Sequence, residues 1–368
     1  MKILFVLEHF YPYLGGAEQL FTELAKTLVR KGHSVTVVTT LYDPTLAKEE
    51  ILEGVQIIRL NCFNRFGFTF LSLPRVLQIA RQSDLIHTTT YNAALPAWLA
   101  SRLLKKPVII TFHEVWGKLW MQLPFLPLWQ RKIYQLFEGG ILKLSFHRYI
   151  AVSRYTQKCL AQAGIPAKRI KAIYNGLDYA TFAPHQPTPP KVFTYTYFGR
   201  LGISKGLDLL LPAAQGFYQK FPNSKLQLII PQYPKAIFQA IKKRIHELKL
   251  DQHIRLLHDL PRQELYEKLC QSSCVVIPSY SEGFCFAAAE VVALGIPIIS
   301  SQKGALKEVV SGRYLPIEPF ETQALFVSLS QAIKGEWKEI PVRIFPLEKT
   351  VEQHVNLYSE ILEQKPSP

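Results

Sequence analysis

The feature that most constrains this sequence is a repeated alternation of short apolar runs with stretches of helical periodicity. Residues 3–7 form an apolar run, residues 21–28 carry apolar side chains at helical spacing, and residues 34–40 are rich in β-branched side chains. This β-α-β order predicts a mostly parallel sheet with right-handed crossovers.

The alternation continues through two blocks, separated by a polar, proline-rich stretch at 185–190 that predicts a linker. Further strands are predicted at 56–60, 85–88, 108–112, 149–152, 193–198, 226–230, 254–257, 275–278 and 296–300. Further helices are predicted at 206–220, 233–248, 262–270, 287–294 and 347–363. The fold class is therefore α/β, with two sheets facing a central cleft. We expect domains at 1–184 and 185–346, followed by a terminal segment at 347–368.

Composition narrows the class of protein. With 48% hydrophobic and 19% charged residues, the chain of 368 residues is not disordered. Its net charge of +15 favours anionic partners, but the basic residues form no single dense stripe, so we expect no nucleic-acid partner. Five cysteines without zinc-site spacing predict free thiols in a reducing cytoplasm. No apolar run reaches the roughly 18 residues of a membrane-spanning helix, which predicts a soluble protein or one peripheral to the cytoplasmic membrane face.

Two glycines, Gly15 and Gly16, lie between the first predicted strand and the first helix. Glycine lets a ligand approach the backbone, and a helix N-terminus attracts anions, so this turn suits a phosphate. An ordinary tight turn explains the pair equally well. The spacing is not G-x-G-x-x-G, and Thr39 and Thr40 end the second strand where a dinucleotide site has an acid, which argues against a dehydrogenase.

A second glycine-bounded turn, 199–206, follows the first strand of the second block. Arg200 and Lys205 lie in this turn, and Gly206 lies at the start of a predicted helix. Two cations that converge on a helix N-terminus predict a diphosphate site. The alternative is a pair of solvated surface cations, and the position at a strand end favours the binding site.

Two carboxylates, Glu282 and Glu290, lie in the turn and helix that follow another strand. Glu290 falls within the apolar run 284–293, where a carboxylate needs a partner. The hydroxyls of a ribose or a nearby Lys or Arg would each supply one. Paired carboxylates are also found in glycoside hydrolases, but a hydrolase needs no diphosphate site.

His113 follows the predicted strand 108–112 and could donate to a sugar hydroxyl or act as acid or base, although a lone histidine is more often structural. No D-x-D sequence occurs, so we expect no metal held through that motif. The cations of the 199–206 turn would then have to neutralise a diphosphate.

Taken together, these motifs resemble a retaining glycosyltransferase of the family 4 type with the GT-B fold. The resemblance extends over most of the chain, in these segments: YPYLGGAE at 11–18, TFHE at 111–114, YNGLD at 174–178, YFGRLGISKG at 197–206, PSYSEGFCFAAAE at 278–290 and ALGIPIISSQKGALKEVV at 293–310. Its most specific part is the E-x7-E spacing of Glu282 and Glu290 downstream of R-x4-K. The GT-B fold implies two Rossmann-like domains and a last helix, from Leu347, that crosses back to the N-terminal domain.

The resemblance also implies roles. A nucleotide-diphosphate sugar would donate a hexose to an acceptor hydroxyl, with no metal and no cofactor. Gly15 and Gly16 would pack against the donor diphosphate. Arg200 and Lys205 would bind the diphosphate and stabilise the departing nucleoside diphosphate.

The remaining roles concern the sugar and the ribose. The resemblance implies that donor-sugar hydroxyls are held by Glu282 and by the four residues after it: Gly283, Phe284, Cys285 and Phe286. Glu290 would bind the ribose, and His113 would lie beside the reacting carbon. No side-chain nucleophile is implied, because the acceptor attacks from the leaving-group face and a phosphate oxygen takes its proton.

Two departures from the family pattern affect specificity. Where the family often has a G-x-G turn near the nucleotide, this chain has Pro-Gln-Tyr-Pro at 231–234. Where the family usually has Gly-Leu, it has Cys285 and Phe286. The first change leaves the base open, and the second leaves the sugar open.

Two segments of the first block, 61–75 and 115–148, mix aromatic residues with Arg and Lys. This composition suits an anionic membrane surface or a lipid-linked glycan acceptor, as in polysaccharide or glycolipid assembly. Burial of the aromatic residues in the core is the alternative. For the whole chain, a sugar-nucleotide-binding protein without turnover and an epimerase or phosphorylase of related fold remain alternatives to a transferase.

Overall fold

The computed structural model describes residues 1–13, 15–123 and 126–363. They form two compact units, and each is described by itself. Unit 1 contains 1–122, 127–176 and 347–363, and unit 2 contains Leu123, Leu126 and 177–346, all within the described ranges. Outside those ranges lie Leu14 of the YPYLGGAE segment, Pro124 and Phe125 of the 115–148 segment, and the last five residues of the predicted 347–368 segment.

Unit 1 alternates strands and helices, as its sequence predicts. Its strands are β1 (Lys2–Val6), β2 (Ser34–Thr40), β3 (Glu49–Leu52), β4 (Val55–Leu60), β5 (Leu85–Thr89), β6 (Val108–Phe112), β7 (Arg148–Ala151) and β8 (Ile170–Ala172). Its helices before residue 177 are α1 (Gly16–Arg30), α2 (Arg65–Leu71), α3 (Leu73–Ala80), α4 (Ala94–Leu104), α5 (Leu128–Lys143) and α6 (Arg154–Gln162). Two 3-10 segments at 91–93 and 117–122 complete the elements used below.

The sheet of unit 1 has the order β3-β4-β2-β1-β5-β6-β7-β8 over the described residues. Neighbouring strands are parallel except for the edge hairpin of β3 and β4. Phe5 of the central strand lies opposite Val37 on one side and His87 on the other. Helix α1 packs its predicted apolar stripe inward, with Phe21 and Leu24 buried.

Unit 2 repeats this architecture. Its strands are β9 (Thr194–Phe198), β10 (Lys225–Ile229), β11 (Ile254–Leu257), β12 (Cys274–Ile277), β13 (Ile298–Ser300), β14 (Gly312–Pro316) and β15 (Lys338–Ile340). Its helices are α7 (Leu207–Lys220), α8 (Lys235–Glu247), α9 (Arg262–Cys270), α10 (Phe286–Ala293), α11 (Leu306–Val309) and α12 (Thr322–Ala332). The sheet order is β11-β10-β9-β12-β13-β14-β15, parallel except for the last pair.

In each sheet the strand order reverses at one point, between β1 and β5 in unit 1 and between β9 and β12 in unit 2. Open α/β sheets bind ligands outside the carboxyl ends of their strands at such a switch point. The loops that follow β9 and β12, at 199–206 and 278–285, therefore meet at a favoured binding edge.

The predicted linker at 185–190 lies inside unit 2. The chain changes unit at Gly176 and Leu177, because Leu177 already pairs within unit 2, where its N–H donates to the carbonyl of Phe345 at 2.8 Å. The stretch that was predicted to be a linker is also bonded to the rest of unit 2, since the Thr188 N–H donates to the Cys270 carbonyl at 2.8 Å. Proline and polar residues here form an ordered surface segment.

The last helix, α13 (Leu347–Glu363), belongs to unit 1. Its buried Tyr358 hydroxyl lies 2.6 Å from Nδ1 of the buried His87 on β5. The Thr350 hydroxyl of the same helix donates to the Tyr174 carbonyl at 2.8 Å. Both ends of the described chain therefore build one unit. Among the described residues, no helix has the length and the hydrophobicity needed to cross a bilayer.

We expect acid to destabilise the packing of α13, because two histidines are buried there with ring centroids 5.8 Å apart. Burial lowers the pKa of His87 and lowers that of His354 to about 4. The unfolded chain binds a proton at a pKa of about 6.5, so His354 costs no stability above that pH. Stability then falls as the pH decreases towards 4, by about 3 kcal/mol for His354 alone.

Urea denaturation at a series of pH values between about 7.5 and 5 measures this loss. His354→Gln should reduce the pH dependence of the free energy of unfolding. His246→Gln is the control, because that side chain is 84% exposed. An unchanged pH dependence in His354→Gln would contradict the expectation.

Candidate functional site

The two loops at the switch point of unit 2 are fixed to each other. The Tyr280 N–H donates to the Ser204 carbonyl at 2.8 Å. Gly206 has a left-handed backbone with φ of +71°, and a Cβ atom there would collide with the Pro278 carbonyl. The pairing of β9 with β12 thus continues into their loops, which places the predicted site residues side by side.

An ion pair joins the two loops across this edge. Lys205 Nζ lies 2.7 Å from Glu282 Oε1, and the buried Ser279 hydroxyl donates to the same oxygen at 2.7 Å. The side chains of Lys205 and Glu282 are 25% and 9% exposed. Because the pair is largely removed from water, it is stronger than a surface ion pair and costly to leave half made.

The Lys205 ammonium stays charged in this position. Burial alone would lower its pKa, but the Glu282 carboxylate outweighs that effect and the net pKa is raised. An ammonium has three N–H donors, and within the described residues one of them goes to Glu282. The site therefore presents a permanent cation, with further donors for an anionic ligand.

The backbone behind Glu282 is also fixed. The Ala305 N–H donates to the Glu282 carbonyl at 2.8 Å. Gly304 has a φ of +61°, and a Cβ atom there would collide with the Glu282 backbone. The Ser301 hydroxyl donates to the Ser279 carbonyl at 2.5 Å. The sequence ALGIPIISSQKG supplies these supports, so the turn that bears the carboxylate is held from behind.

Arg200 lies in the same loop but is placed differently. Its side chain is exposed, whereas the next residue, Leu201, is buried and anchors the loop. The loop thus offers one fixed cation, Lys205, and one solvated cation. A solvated guanidinium can still form bidentate hydrogen bonds with a phosphate that enters the site.

The residues after Glu282 lead directly into helix α10. The Phe284 side chain is buried against Phe345, with ring centroids 5.2 Å apart, so its side chain faces the core. Cys285 precedes the helix with a φ of +76°, a conformation that glycine adopts without strain. Phe286 begins the helix, and the first N–H groups of a helix are not bonded within it. This geometry explains why glycine suits the position that Cys285 occupies.

Glu290 is buried on α10, and a buried carboxylate needs a partner. Arg262 Nη2 and the Tyr266 hydroxyl lie 3.4 Å and 3.5 Å from its Oε1, and Arg262 Nε donates to Tyr266 at 2.8 Å. Burial raises the pKa of Glu290, opposed by these two neighbours. Glu290 thus has a basic partner, Arg262, which was the alternative to a ribose in the sequence analysis. The distances from Oε1 to Arg262 and Tyr266 are long for hydrogen bonds, so a ligand can compete with both.

Gly15 and Gly16 lie at the switch point of unit 1. Gly15 caps α1 with φ of −172°, an extended backbone that any residue adopts, and Gly16 is the first residue of the helix. An ordinary tight turn was the alternative explanation for the pair, and Gly15 adopts no backbone conformation that is special to glycine. What remains is the absence of a side chain, which allows a ligand to approach the helix N-terminus.

His113 also lies in unit 1, directly after β6. It is half-buried, and its ring centroid is 6.3 Å from that of Phe21 on α1. The candidate residues therefore fall into two groups. The loops and α10 of unit 2 hold those from Arg200 to Glu290, whereas Gly15, Gly16 and His113 belong to unit 1.

A polar network after β1 was missed in the sequence. The Glu8 carboxylate pairs with Arg65 Nε at 2.9 Å and accepts a hydrogen bond from the buried Asn92 at 2.8 Å. Thr69 donates to the Asn92 side chain at 3.2 Å. The network ties α2 and the 91–93 turn to the switch point. Its only sequence signal is a carboxylate directly after an apolar strand.

In unit 2 the sequence also missed Ser279 and the pair Arg262 and Tyr266. Ser279 lies three residues before Glu282 inside the recognised motif, and the other two lie at i and i+4 on α9. Neither spacing distinguishes them from surface residues. No group of three or more His, Cys, Asp or Glu side chains within the described ranges could hold a metal ion.

Comparison with known proteins places most of the chain in two family models. Glycosyltransferase Family 4 matches residues 14–181. Glycosyl transferases group 1 matches residues 180–341. The second match contains both loops of the unit 2 switch point.

Two curated relatives match over most of their length. A phosphatidylinositol N-acetylglucosaminyltransferase subunit of Homo sapiens is 24% identical over 347 residues, which cover 90% of this chain and 68% of the relative. GDP-mannose:cellobiosyl-diphosphopolyprenol alpha-mannosyltransferase of Xanthomonas oryzae is 26% identical over 313 residues, covering 82% and 78%. Both are named as sugar transferases, the first with a phosphatidylinositol and the second with a diphosphopolyprenol in its name.

Solved structures match the fold along the whole chain. Sucrose-phosphate synthase of Thermosynechococcus elongatus has a TM-score of 0.82 at 20% identity and covers 99% of this chain and 100% of its own. HepE of Anabaena, in complex with UDP-glucose, has a TM-score of 0.78 at 20% identity and covers 98% and 100%. The predicted GT-B fold class with two Rossmann-like α/β domains is confirmed.

We expect Gly206→Ala to lower the free energy of unfolding of unit 2 by more than the cost of placing alanine in a left-handed backbone conformation. A left-handed alanine costs about 1–2 kcal/mol, and the collision with the Pro278 carbonyl adds about 1–3 kcal/mol of overpacking. Gly335→Ala is the matched control, because Gly335 has a φ of +77° and no neighbouring atom within 4 Å of an added Cβ. Urea denaturation of both variants measures the difference, and equal losses would show that the two loops are not in contact.

Proposed function

Because this chain is a glycosyltransferase, we propose that it moves a hexose with retention from a nucleotide-diphosphate sugar to an acceptor hydroxyl. The chain belongs to Glycosyltransferase Family 4 over residues 14–181 and to Glycosyl transferases group 1 over residues 180–341. Family membership favours this transfer over the epimerase, phosphorylase and dehydrogenase alternatives. The observation that carries the proposal is the ion pair of Lys205 and Glu282 at the switch point of unit 2.

The donor diphosphate binds at the loop 199–206. Lys205 supplies a fixed, charged ammonium, and the exposed Arg200 closes onto the phosphates from the same loop. A diphosphate can bind without displacing Glu282, because the Lys205 ammonium has three N–H donors and, among the described residues, one of them goes to Glu282. The two cations supply the charge that a divalent metal supplies in other transferases, so we propose that transfer is independent of metal.

The sugar and the ribose bind on either side of this charge. Glu282 and the backbone of Gly283 to Phe286 hold the sugar hydroxyls, and Glu290 accepts hydrogen bonds from the ribose. Since Glu290 Oε1 has only long contacts with Arg262 and Tyr266, a ribose hydroxyl can bond the carboxylate without a large loss. Cys285 takes up more volume than glycine at this turn and restricts which sugar fits.

Catalysis in this proposal consists of stabilising the leaving group. The bond between the anomeric carbon and the diphosphate oxygen breaks, the acceptor oxygen bonds to that carbon from the same face, and its proton passes to a phosphate oxygen. The products are the glycosylated acceptor and the nucleoside diphosphate. Lys205 and Arg200 stabilise the charge that develops on the diphosphate, where a preorganised cation is most effective. We assign Gly15 and Gly16 to the diphosphate and His113 to the sugar.

The acceptor is proposed to be a glycan or a lipid-linked glycan intermediate of glycolipid or polysaccharide assembly. The names of the human and Xanthomonas relatives, a phosphatidylinositol and a diphosphopolyprenol transferase, support this class. An enzyme for such an acceptor would work in the cytoplasm at the membrane face.

Thermal denaturation with UDP-, GDP-, ADP- and dTDP-sugars tests donor binding. A ligand that binds only the folded state raises the melting temperature, so one nucleotide family should give a clear rise. EDTA should leave that rise unchanged if no metal takes part. The absence of a rise with all four would contradict donor binding, and a rise abolished by EDTA would contradict metal independence alone.

Single substitutions test the two cations and the carboxylate. Lys205→Ala and Glu282→Gln should each lower kcat by about 10²–10³, because each removes an interaction with the developing charge or with the sugar. Arg200→Ala should cost about tenfold or less, since its side chain is solvated. Lys243→Ala on α8, whose side chain is 80% exposed, is the matched control and should transfer normally. Near-normal turnover in Lys205→Ala and Glu282→Gln, with intact circular dichroism, would place the active site elsewhere.

A further inference from the structure

Helix α5 turns its polar stripe inward. Arg131, Gln135 and Glu138 recur at i, i+4 and i+7 and contact the 117–122 segment. Arg131 donates to the Met121 carbonyl at 2.8 Å, Gln135 donates to the Gly117 carbonyl at 3.1 Å, and Glu138 accepts from the Gly117 N–H at 2.6 Å. Burial raises the pKa of Glu138, whose side chain is almost fully enclosed.

The opposite stripe of α5 is apolar and faces outward. Its large side chains and their exposed fractions are Trp129 62%, Ile133 53%, Leu136 76% and Phe137 37%. A surface helix of a globular protein normally has the reverse arrangement, with its apolar stripe packed on the core. The exposed face also carries Lys132 and Lys143. Helix α5 is therefore held by these polar contacts and by the buried Ile141 near its end, and it exposes its apolar stripe.

Helix α2 exposes a similar set of side chains: Phe66 56%, Phe70 72%, Leu71 51% and, just before the helix, Phe63 91%. Phe68 anchors this helix in the core. Both α2 and α5 contact the 91–93 turn, where Tyr91 stacks on Phe137 at 6.5 Å. The exposed side chains of the two helices thus flank one short turn, and we call them together the aromatic surface.

The segments that carry the aromatic surface are rich in basic residues. Residues 61–75 and 115–148 together have seven Lys or Arg and one acid, the buried Glu138. The carboxylates of Glu8 and Glu49 lie nearby, where they pair with Arg65 and Arg75. Such a surface attracts anions and repels a second copy of itself.

We propose that the aromatic surface of unit 1 inserts into an anionic lipid bilayer, with α5 lying in the plane of the interface. The bilayer fits better than a protein partner because apolar and basic side chains alternate along the exposed face of α5, and this pattern matches acyl chains below and phosphate headgroups above. The inference rests on the proposed function in one respect, namely that the membrane would also hold the acceptor.

The structure suggests how the membrane would connect to the site of unit 1. Arg65 on α2 is 56% exposed and pairs with Glu8 at the switch point, and its guanidinium lies 5.9 Å from the Phe66 ring. A headgroup phosphate bound to Arg65 would therefore lie beside the polar network of Glu8 and Asn92. The aromatic surface and the network share helix α2.

Sedimentation with vesicles tests the proposal. The full chain should bind vesicles of equal parts phosphatidylglycerol and phosphatidylcholine, bind phosphatidylcholine alone much less, and lose binding in high salt. The double variant Ile133→Glu with Leu136→Glu should reduce binding by more than about tenfold, because removal of one large side chain from the interface already costs about that factor. Both side chains are exposed, so the fold should survive.

Ile51→Glu is the matched control, since Ile51 is 77% exposed on the edge strand β3. Equal binding by the double variant and the control, or no binding to anionic vesicles by the wild-type chain, would overturn the proposal. A concentration-dependent dimer that the double variant abolishes, without vesicle binding, would assign the surface to a second copy instead. Nucleotide-sugar binding is measured in the same samples, so failure of donor binding in all of them would count against the proposed function and not against the surface.

Discussion

The parallel sheet is the constraint on which the rest of the molecule depends. Parallel strands all end at the same edge, so the parallel strands of unit 2, β9 to β14, deliver their following loops to one line of positions. The strand order reverses between β9 and β12, so the helices that follow these two strands lie on opposite sides of the reversal point. The loops that follow β9 and β12 are left in contact with each other. For this reason Lys205 is in contact with Glu282, although the two residues are 77 positions apart in the sequence.

The ion pair at that edge shows how charge can be kept ready in a place with little water. Isolated, either Lys205 or Glu282 would cost free energy in these surroundings. Together, and with the hydroxyl of Ser279, they form an ion pair that is in place before any ligand arrives. The backbone behind them is held by contacts that leave no space for a side chain at Gly206 or Gly304. The free-energy cost of ordering these side chains thus arises during folding. A reaction that needs a fixed cation then requires no further ordering of the site.

The sequence predicted the central strands and the motif positions because both depend on local patterns. Strands β2, β6 and β11 and helices α9 and α13 have the predicted bounds, and most other predicted elements differ by one or two residues. The short edge strands β3, β8 and β15 were not predicted, since three or four residues carry too little periodicity. The partners of Glu290 could not be predicted either, because contacts between α9 and α10 depend on packing.

Helix α5 shows the limit of periodicity most clearly. An apolar stripe at helical spacing indicates which side chains cluster, but it does not say whether they face the core or the outside. The alternative of core burial, raised for the aromatic residues of 61–75 and 115–148, holds for Phe68 and Trp120 and fails for Phe70 and Trp129. The direction of α5 is set by Glu138 and its hydrogen bonds to the chain around Gly117, which only the tertiary structure shows.

The position of α13 has a consequence for biosynthesis. Unit 1 contains the contact between His87 and Tyr358, two residues that are 271 positions apart in the sequence. Residues 177–346 of unit 2, by contrast, leave the ribosome as one continuous stretch. The unit that is started first is therefore completed last. Until α13 emerges, His87 and its neighbours on the sheet lack their cover, so the nascent chain passes through a stage in which unit 2 can be folded while unit 1 is still open. A stop codon near the 3′ end of the coding sequence would damage the domain that its 5′ end encodes.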